Sequence, residues 1–331
     1  MILPLVFILA SSCTHISGNS YGLKNGYRVS VGESSPKAKI FLVAGSQDSA
    51  NFAQEIVDQK KFWIAQGYTN EEIACYYVPP VEKEKTDKKQ YADLFRELRD
   101  CYFADPKLLS EHIKQIAKTN PDFIYLYVSS HGNIPMSENE FSYKDEAISK
   151  KMEKVMLLPK WADTYSMELQ GYAVPGAFGV YHNLYKAYLY ALENPENADE
   201  YLFTPRGLKS ALNSLPTKTK KYVVLQGCHT GGFVLPKKEV GVENTLRGMK
   251  NTSVLTASRS DRTSFGCNEG AHTTMFGEAF FVSLRKYAEA KKIQDLDWKS
   301  IFNYTETQIK EREMIIGISD EDLSSPQKYF N

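Results

Sequence analysis

Short apolar runs, each closed by glycine, proline or polar residues, recur along this chain at intervals that suit the strands of one sheet. The runs occupy residues 38–44, 73–78, 122–130, 222–226 and 253–257. Most positions in each run are apolar, whereas a strand with one solvated face would alternate apolar and polar positions. The pattern therefore predicts strands that are buried on both faces, as in a parallel sheet.

Segments with helical spacing of apolar residues separate these runs. Residues 52–66, 108–118, 273–292 and 298–312 are predicted as helices. The alternating charges of residues 82–89 predict a solvated loop instead. Strands that alternate with helices place the helices on both faces of a mostly parallel sheet, so we predict an α/β fold of three layers.

One long segment, residues 133–220, interrupts this alternation. It contains a helix-like run at 146–157, a piece rich in Gly and Pro at 171–179 and an aromatic-rich run at 181–190. A long irregular segment between two core strands is either functional or disordered, and the aromatic residues argue against disorder. We therefore predict an insertion, which is either a lid or cleavable inhibitory segment over a site at the strand ends or a solvated decoration remote from it.

The amino terminus predicts export. The first ten residues are almost entirely apolar and are followed by two serines and Cys13. Such a run is too short to span a bilayer, and residues 1–13 resemble a signal peptide or a lipoprotein signal, which would put a lipid on Cys13. A buried first strand is the alternative. We expect a bacterial periplasmic or cell-envelope protein, or a secreted one without the lipid, with a linker at 14–36 and a domain at 37–331.

The charge composition limits the classes of partner that the protein is expected to bind. The 331 residues carry 40 Lys and Arg against 40 Asp and Glu, so the formal net charge is zero. Without a basic excess there is no electrostatic basis for binding nucleic acid. We expect a monomer that acts on a protein or peptide and meets a membrane only through a lipid anchor.

The five cysteines match no zinc pattern, because no CxxC pair exists, and we predict neither a metal nor a cofactor. Cys75 and Cys101 are either a disulfide of an exported protein or two buried thiols.

Candidate catalytic residues follow two of the predicted strands. His131 stands before Gly132 at the end of the third strand, and Cys228 stands between Gly227 and His229 at the end of the fourth. Ligands bind beyond the carboxyl ends of parallel strands, so a histidine and a cysteine at two such ends would share one edge. An imidazole raises the thiolate fraction of a nearby cysteine, and N–H groups beside glycine could bind an oxyanion. His229 is a rival base, although adjacent residues at a strand end point in different directions.

Four sequence blocks, in this order, resemble the legumain family of cysteine peptidases. This family includes the catalytic subunit of GPI transamidase and belongs with caspases, gingipains and clostripain. The blocks are VAGS at 43–46 with Asn51 and Phe52, SSHG at 129–132, QGCHTG at 226–231 and TASRSDRTSFGC at 256–267. The likeness covers roughly residues 38–132 and 218–290.

The resemblance implies a caspase-like sandwich and a cysteine endopeptidase that forms a thioester acyl-enzyme. By the same resemblance Cys228 is the nucleophile, His131 the general base and Asn51 the residue that supports the histidine. The N–H groups of Gly132 and Cys228 would form the oxyanion hole. Two alternatives stay open: a transamidase or peptide ligase that uses the same acyl-enzyme, and an inactive surface-binding protein on this scaffold.

The family's substrate pocket corresponds to four positions of this chain, which departs from the family at Ala53 and Gln226 and keeps a carboxylate at Glu278. The matching residues are Ala53, Gln226, Ser258 and Glu278. Ala53 replaces the family's arginine, so Glu278 would be a partly buried carboxylate without its cationic partner. We therefore predict a preference shifted from Asn towards Lys or Arg on the amino side of the scissile bond, unless Arg259 or Arg262 restores the missing donor.

Overall fold

The structure is a computed structural model. It describes residues 21–22, 28–29, 32–47, 49–78, 88–135, 164–170, 195–236, 244–267, 271–289 and 291–331. The predicted signal with Cys13, most of the linker, most of the loop at 82–89 and the segments at 146–157, 171–179 and 181–190 lie outside the described residues.

A seven-stranded sheet forms the centre of the fold. Its strands are β1 (Ile40–Ala44), β2 (Ile73–Tyr77), β3 (Tyr102–Phe103), β4 (Phe123–Ser129), β5 (Lys220–Gln226), β6 (Thr252–Thr256) and β7 (Gln327–Phe330). Their order is β7-β6-β5-β4-β1-β2-β3, and every neighbouring pair is parallel except β6 with β7. Two short antiparallel ladders lie outside this sheet. They join Tyr21–Gly22 to Arg28–Val29 and Gly132–Asn133 to Ser166–Met167.

Helices cover both faces of the sheet. They are α1 (Ala50–Ala65), α2 (Lys88–Leu98), α3 (Pro106–Ala117), α4 (Pro205–Asn213), α5 (Met275–Tyr287) and α6 (Trp298–Ile315). Short 3₁₀ turns lie at Asn70–Glu72, Pro195–Glu200, Thr230–Phe233 and Ile293–Asp295. None of the helices in the described ranges is both long and apolar enough to cross a membrane.

Alternate residues of each strand divide the core into two layers, because successive side chains of a strand point to opposite faces. Leu42 and Tyr127 pack with α1, α2, α5 and α6, whereas Val43 and Leu126 pack with α3 and α4. The three-layer α/β sandwich with a mostly parallel sheet is therefore confirmed, and it agrees with the caspase-like arrangement that the resemblance implied.

All five predicted strands and all four predicted helices are present. The predicted helix at 273–292 is shorter and ends at Tyr287, and the chain continues in a 3₁₀ turn from Ile293. Two helices were not predicted: α2 begins at the end of the charged loop, and α4 lies inside the 133–220 segment and packs on α3. The two edge strands, β3 and β7, were also missed.

Cys75 on β2 and Cys101 just before β3 form a disulfide bond. Of the two interpretations of these cysteines, the disulfide is therefore the one that the structure contains.

Candidate active site

The two strands that carry the candidate dyad are neighbours and end at the same level. Ser129 of β4 is in register with Gln226 of β5, and the N–H of Ser130 donates to the carbonyl oxygen of Gln226 over 3.1 Å. His131 directly follows Ser130, and Cys228 follows Gln226 by two residues. The topology therefore delivers both to one edge of the sheet.

Beyond the strand ends the two backbones are in direct contact. A Cβ atom at Gly132 would overlap the carbonyl oxygen of Cys228 and would lie 3.3 Å from its nitrogen. A Cβ atom at Gly227 would lie 2.5 Å from the carbonyl oxygen of Ser130. Both positions thus require glycine for steric reasons, because any side chain there would push the two strand ends apart.

The Cys228 thiol is partly buried and is held by a single residue of the 256–267 block. The N–H of Ser264 donates to Sγ at 3.3 Å, and Sγ lies 3.6 Å from the carbonyl oxygen of the same residue. Burial raises the pKa of Cys228, and the backbone of Ser264 offsets part of that rise. The thiol is therefore neutral at rest, and its deprotonation needs a base.

Hydrogen bonds to the residue before Cys228 stabilise the turn that carries the nucleophile. The carbonyl oxygen of Gly227 accepts hydrogen bonds from the hydroxyls of Thr230 at 3.0 Å and Ser258 at 3.1 Å. A Cβ atom at Gly231 would lie 2.6 Å from the carbonyl oxygen of Ser258. Ser258 was expected to contact substrate, but it is fully buried and holds the nucleophile turn.

The two histidines of the region have different surroundings. The His131 ring meets the Phe52 ring edge-on, with centroids 5.1 Å apart. His229 has a left-handed backbone (φ 58°), and its Nδ1 lies 3.1 Å from the carbonyl oxygen of Ser260. A carbonyl oxygen only accepts, so Nδ1 of His229 carries the proton in this contact. His229 is thus tied to the 256–267 block by its ring.

Asn51, expected to support the histidine, is the second residue of α1. Its Nδ2 donates to the carbonyl oxygen of Gly266 at 2.7 Å. The residue of α1 that touches the His131 ring is the next one, Phe52. Asn51 therefore fastens the 256–267 block, which holds Cys228 through Ser264, to the same helical turn that touches the histidine.

A described part of the 133–220 segment borders this edge of the sheet. Residues 164–170 cross the ends of β1 and β4: the N–H of Glu168 donates to the carbonyl oxygen of His131 at 2.9 Å, and the N–H of Gln170 donates to Gly45 at 2.9 Å. The Ser130 hydroxyl in turn donates to the carbonyl oxygen of Glu168 at 2.6 Å.

The pairing of residues 164–170 with this edge of the sheet also leaves the backbone N–H of Gly132 available. Gly132 is paired with Met167 across the short ladder, and the hydrogen bond from Glu168 to His131 makes this pair the non-hydrogen-bonded kind. In such a pair the N–H groups point away from the partner strand. The N–H of Gly132 is therefore not used by this ladder.

The remaining predicted pocket residues differ in how deeply they are buried. Ala53 is buried in the core and Gln226 is fully buried beneath the nucleophile turn. The Glu278 side chain is 58% exposed, and Arg312 of α6 lies 2.6 Å from its carboxylate. The expectation that Glu278 lacks a cationic partner is therefore wrong, because α6 packs beside α5 and supplies one.

The two arginines considered as substitute donors also have partners. Arg259 pairs with Asp261, and Arg262 lies 3.5 Å from Asp322.

Sequence reasoning missed a buried carboxylate near this edge. Glu55 of α1 accepts hydrogen bonds from the hydroxyls of Tyr127 at 2.7 Å and Ser129 at 2.6 Å, and from the N–H of Thr274 at 2.8 Å. Burial raises the pKa of Glu55, and hydrogen bonds from Ser129, Tyr127 and both the side chain and the N–H of Thr274 offset part of that rise. Its position between Phe52 and Ile56, on the apolar side of a predicted helix, was the available signal.

Comparison with known proteins gives the following relations. Residues 190–326 match the model of the Peptidase C13 family. The chain is similar in structure to protein GSU0716 from Geobacter sulfurreducens, with 9% identity, a TM-score of 0.44 and coverage of 89% of this chain and 93% of that one. It is also similar to caspase-1 from Spodoptera frugiperda, with 10% identity, a TM-score of 0.38 and coverage of 88% and 87%. No curated protein matches the chain. The family match confirms the resemblance to legumain-like cysteine peptidases, and it covers the part of the chain that carries Cys228.

Proposed function

We propose that this protein is a cysteine endopeptidase in which Cys228 is the nucleophile and His131 the general base. The observation that carries the proposal is the backbone contact between Gly132 and Cys228, which brings the residues after the two strand ends together. The match to the Peptidase C13 family supports the same chemistry. His229, the rival base, has its Nδ1 at the carbonyl oxygen of Ser260, which ties its ring to the 256–267 block.

The reaction follows from these positions. His131 removes the proton from Sγ of Cys228 as sulfur attacks the carbonyl carbon of the scissile peptide, and the carbonyl electrons move to oxygen. The N–H groups of Gly132 and Cys228 stabilise that oxyanion. The oxyanion then collapses, the C–N bond breaks, and His131 returns the proton to the leaving amine. The thioester that remains is hydrolysed by water, from which His131 takes a proton, and the thiol is regenerated.

A general base is needed because the thiol is neutral at rest. Burial raises the pKa of Cys228, and the donor recorded at its sulfur is the N–H of Ser264. The N–H of Ser264 would stabilise negative charge on sulfur as the proton leaves. Proton removal and attack are therefore coupled in one step rather than separated by a stored thiolate.

The test measures peptide cleavage and covalent trapping on the full chain. Wild-type protein should cleave a mixed peptide library and form an acyl-enzyme with an activated peptide ester. Cys228→Ala and His131→Ala should each lose cleavage by about 10³-fold or more, because the two residues act as a unit. Cys267→Ala is the matched control, since Cys267 is the other described cysteine outside the disulfide. Acyl-enzyme formation by Cys228→Ala protein would refute the assignment, and transfer to added hydroxylamine in preference to water would identify a transamidase.

We further propose that the protein is exported, with a lipid on Cys13 as the anchor. The Cys75–Cys101 disulfide supports this, because disulfides persist in oxidising compartments. Cys13→Ala should release the protein from the membrane fraction of expressing cells into the soluble envelope fraction. Unchanged fractionation would rule out the lipid anchor.

A further inference from the structure

Glu55 of α1 is a buried carboxylate that four donors of the protein surround. One oxygen accepts from the hydroxyls of Tyr127 at 2.7 Å and Ser129 at 2.6 Å. The N–H of Thr274 donates to the other oxygen at 2.8 Å, and the Thr274 side chain also hydrogen-bonds to the carboxylate. Burying a carboxylate is costly even when its hydrogen bonds are satisfied. The position of Glu55 is therefore explained better by the elements that it joins than by net stabilisation.

Ser129 extends this link across the two strands that carry the candidate dyad. Its hydroxyl lies 2.6 Å from the Glu55 carboxylate and 3.0 Å from the side-chain amide of Gln226, and all three side chains are buried. Ser129 and Gln226 are the last residue pair of the β4–β5 ladder. Each of them precedes one residue of the dyad, His131 or Cys228, by two positions. The side-chain contact therefore fixes the spacing of the two strands directly before the dyad.

The Gln226 side chain shows that this contact has a cost. The amide is fully buried, and its second polar atom has no hydrogen-bond partner in the described part of the chain. An unpaired polar atom at that depth is destabilising, whereas an apolar side chain of similar size would avoid the penalty. Gln226 is therefore explained better by its contact with Ser129 than by a contribution to the core.

Thr274 connects the same carboxylate to the segment that holds the sulfur. Thr274, which bonds to Glu55, is the N-cap of α5. The next residue along the chain donates its N–H to the carbonyl oxygen of Phe265 at 3.1 Å. Phe265 directly follows Ser264, whose N–H donates to Sγ of Cys228. The Glu55 carboxylate is therefore connected, through the start of α5, to the group that contacts the sulfur.

We propose that Glu55 is a positioning residue for the dyad. Through Ser129 it fixes the strand ends that carry His131 and Cys228. Through Thr274 it fixes the segment that holds the sulfur. Glu55 acts through these neighbours, because its hydrogen bonds end on β4 and on the start of α5 rather than on the dyad. This inference rests on the proposed peptidase function and assigns a further residue to that site.

The experiment compares two buried hydroxyls that join the same strand to the same helix. Ser129 of β4 donates to Glu55, whereas Tyr125 of β4 donates at 3.2 Å to Gln59, one turn further along α1. Only the first contact lies next to the strand ends. Ser129→Ala and Glu55→Gln should each lower kcat for peptide cleavage by about tenfold or more and leave KM nearly unchanged, because the dyad is misplaced. Tyr125→Phe should lose comparable stability and keep the wild-type kcat. Ser129→Thr, which restores the hydroxyl, should recover kcat.

The outcomes separate this inference from the proposed function. Equal kcat in Ser129→Ala and Tyr125→Phe proteins, or a wild-type kcat in Glu55→Gln protein, overturns the inference while cleavage itself sustains the peptidase. If Glu55→Gln does not fold, the two hydroxyl variants decide alone. If wild-type protein cleaves no peptide, the peptidase proposal fails, and the rate of Cys228 alkylation by iodoacetamide decides the positioning role. A rate that Ser129→Ala raises and Tyr125→Phe leaves unchanged supports the role, because the partly buried sulfur becomes more accessible. Any other pattern of rates overturns it.

Discussion

The backbone N–H of Ser264 donates to the Sγ atom of Cys228 over 3.3 Å, although the two residues are 36 positions apart in the chain. The same block of sequence is tied to α1 by Asn51, which donates to Gly266. The sulfur is thus held by a loop whose position depends on the helix that also touches His131. The reactivity of Cys228 therefore depends on three segments that are distant in sequence.

The first prediction concerns the pH dependence of Cys228 alkylation. Because burial raises its pKa, the thiolate fraction at pH 7 is lower than for an exposed thiol. The rate of reaction with iodoacetamide, followed at Cys228 by peptide mass mapping, should rise about tenfold per pH unit from pH 7 to 9. A rate that is already at its plateau below pH 7 would show a stored thiolate–imidazolium pair and contradict the coupled proton transfer.

The second prediction tests the contact between the strand ends. In Gly132→Ala the new methyl group overlaps the carbonyl oxygen of Cys228. We expect a loss of about 1–3 kcal/mol in the free energy of unfolding from overpacking. Peptide cleavage should fall by about 10²-fold or more, because the oxyanion donors are displaced.

Gly317→Ala is the control for this variant. A Cβ atom there meets nothing within 4 Å, although the residue has φ +83°. It should cost about 1 kcal/mol from backbone strain and leave cleavage unchanged. If Gly132→Ala retains wild-type kcat/KM, the proposed oxyanion hole is wrong.

Much of the fold and the placement of the candidate dyad followed from local pattern. The apolar runs that became β4 and β5 each end in residues that a buried strand excludes, so His131 and Cys228 could be assigned to strand ends from the sequence alone. Strand adjacency then followed from the parallel topology that alternating strands and helices favour.

What sequence could not supply were contacts between distant segments. Glu55 and Thr274 are 219 positions apart, and they meet only because α1 and α5 pack on the same face. For the same reason Glu278 could not be recognised as the partner of Arg312, since their pairing depends on how α5 and α6 lie side by side. The short helix α4 was hidden because it lies within a segment whose overall pattern is irregular.

The third prediction concerns the disulfide. Cys75 and Cys101 close a loop with a sequence separation of 26, and both are buried. The double variant Cys75→Ala/Cys101→Ala should lose about 3–4 kcal/mol in the free energy of unfolding, measured in guanidinium chloride under oxidising conditions. Reduction should destabilise the wild-type protein and leave the double variant unaffected. Equal stability of the two oxidised proteins would contradict a structural role for this bond.

The fourth prediction follows from the buried carboxylate of Glu55. The folded-state pKa of Glu55 is raised above its ordinary value of 4.5 by burial, so folding favours the protonated form. Its contribution to stability is complete below pH 4.5 and is lost as the pH rises through the folded pKa. The melting temperature of wild-type protein relative to Glu55→Gln should therefore be highest near pH 4 and decline towards pH 7.

Asp297, whose pKa is lowered by hydrogen bonds from Ser300, provides a control of opposite sign, because its contribution is present above pH 3.8 and is lost as the pH falls. Wild-type protein relative to Asp297→Asn should thus keep a constant advantage from pH 4 to 7 and lose it as the pH falls below 3.8. A Glu55→Gln difference that is constant from pH 4 to 7 would show that the carboxylate does not change protonation there and would contradict the prediction.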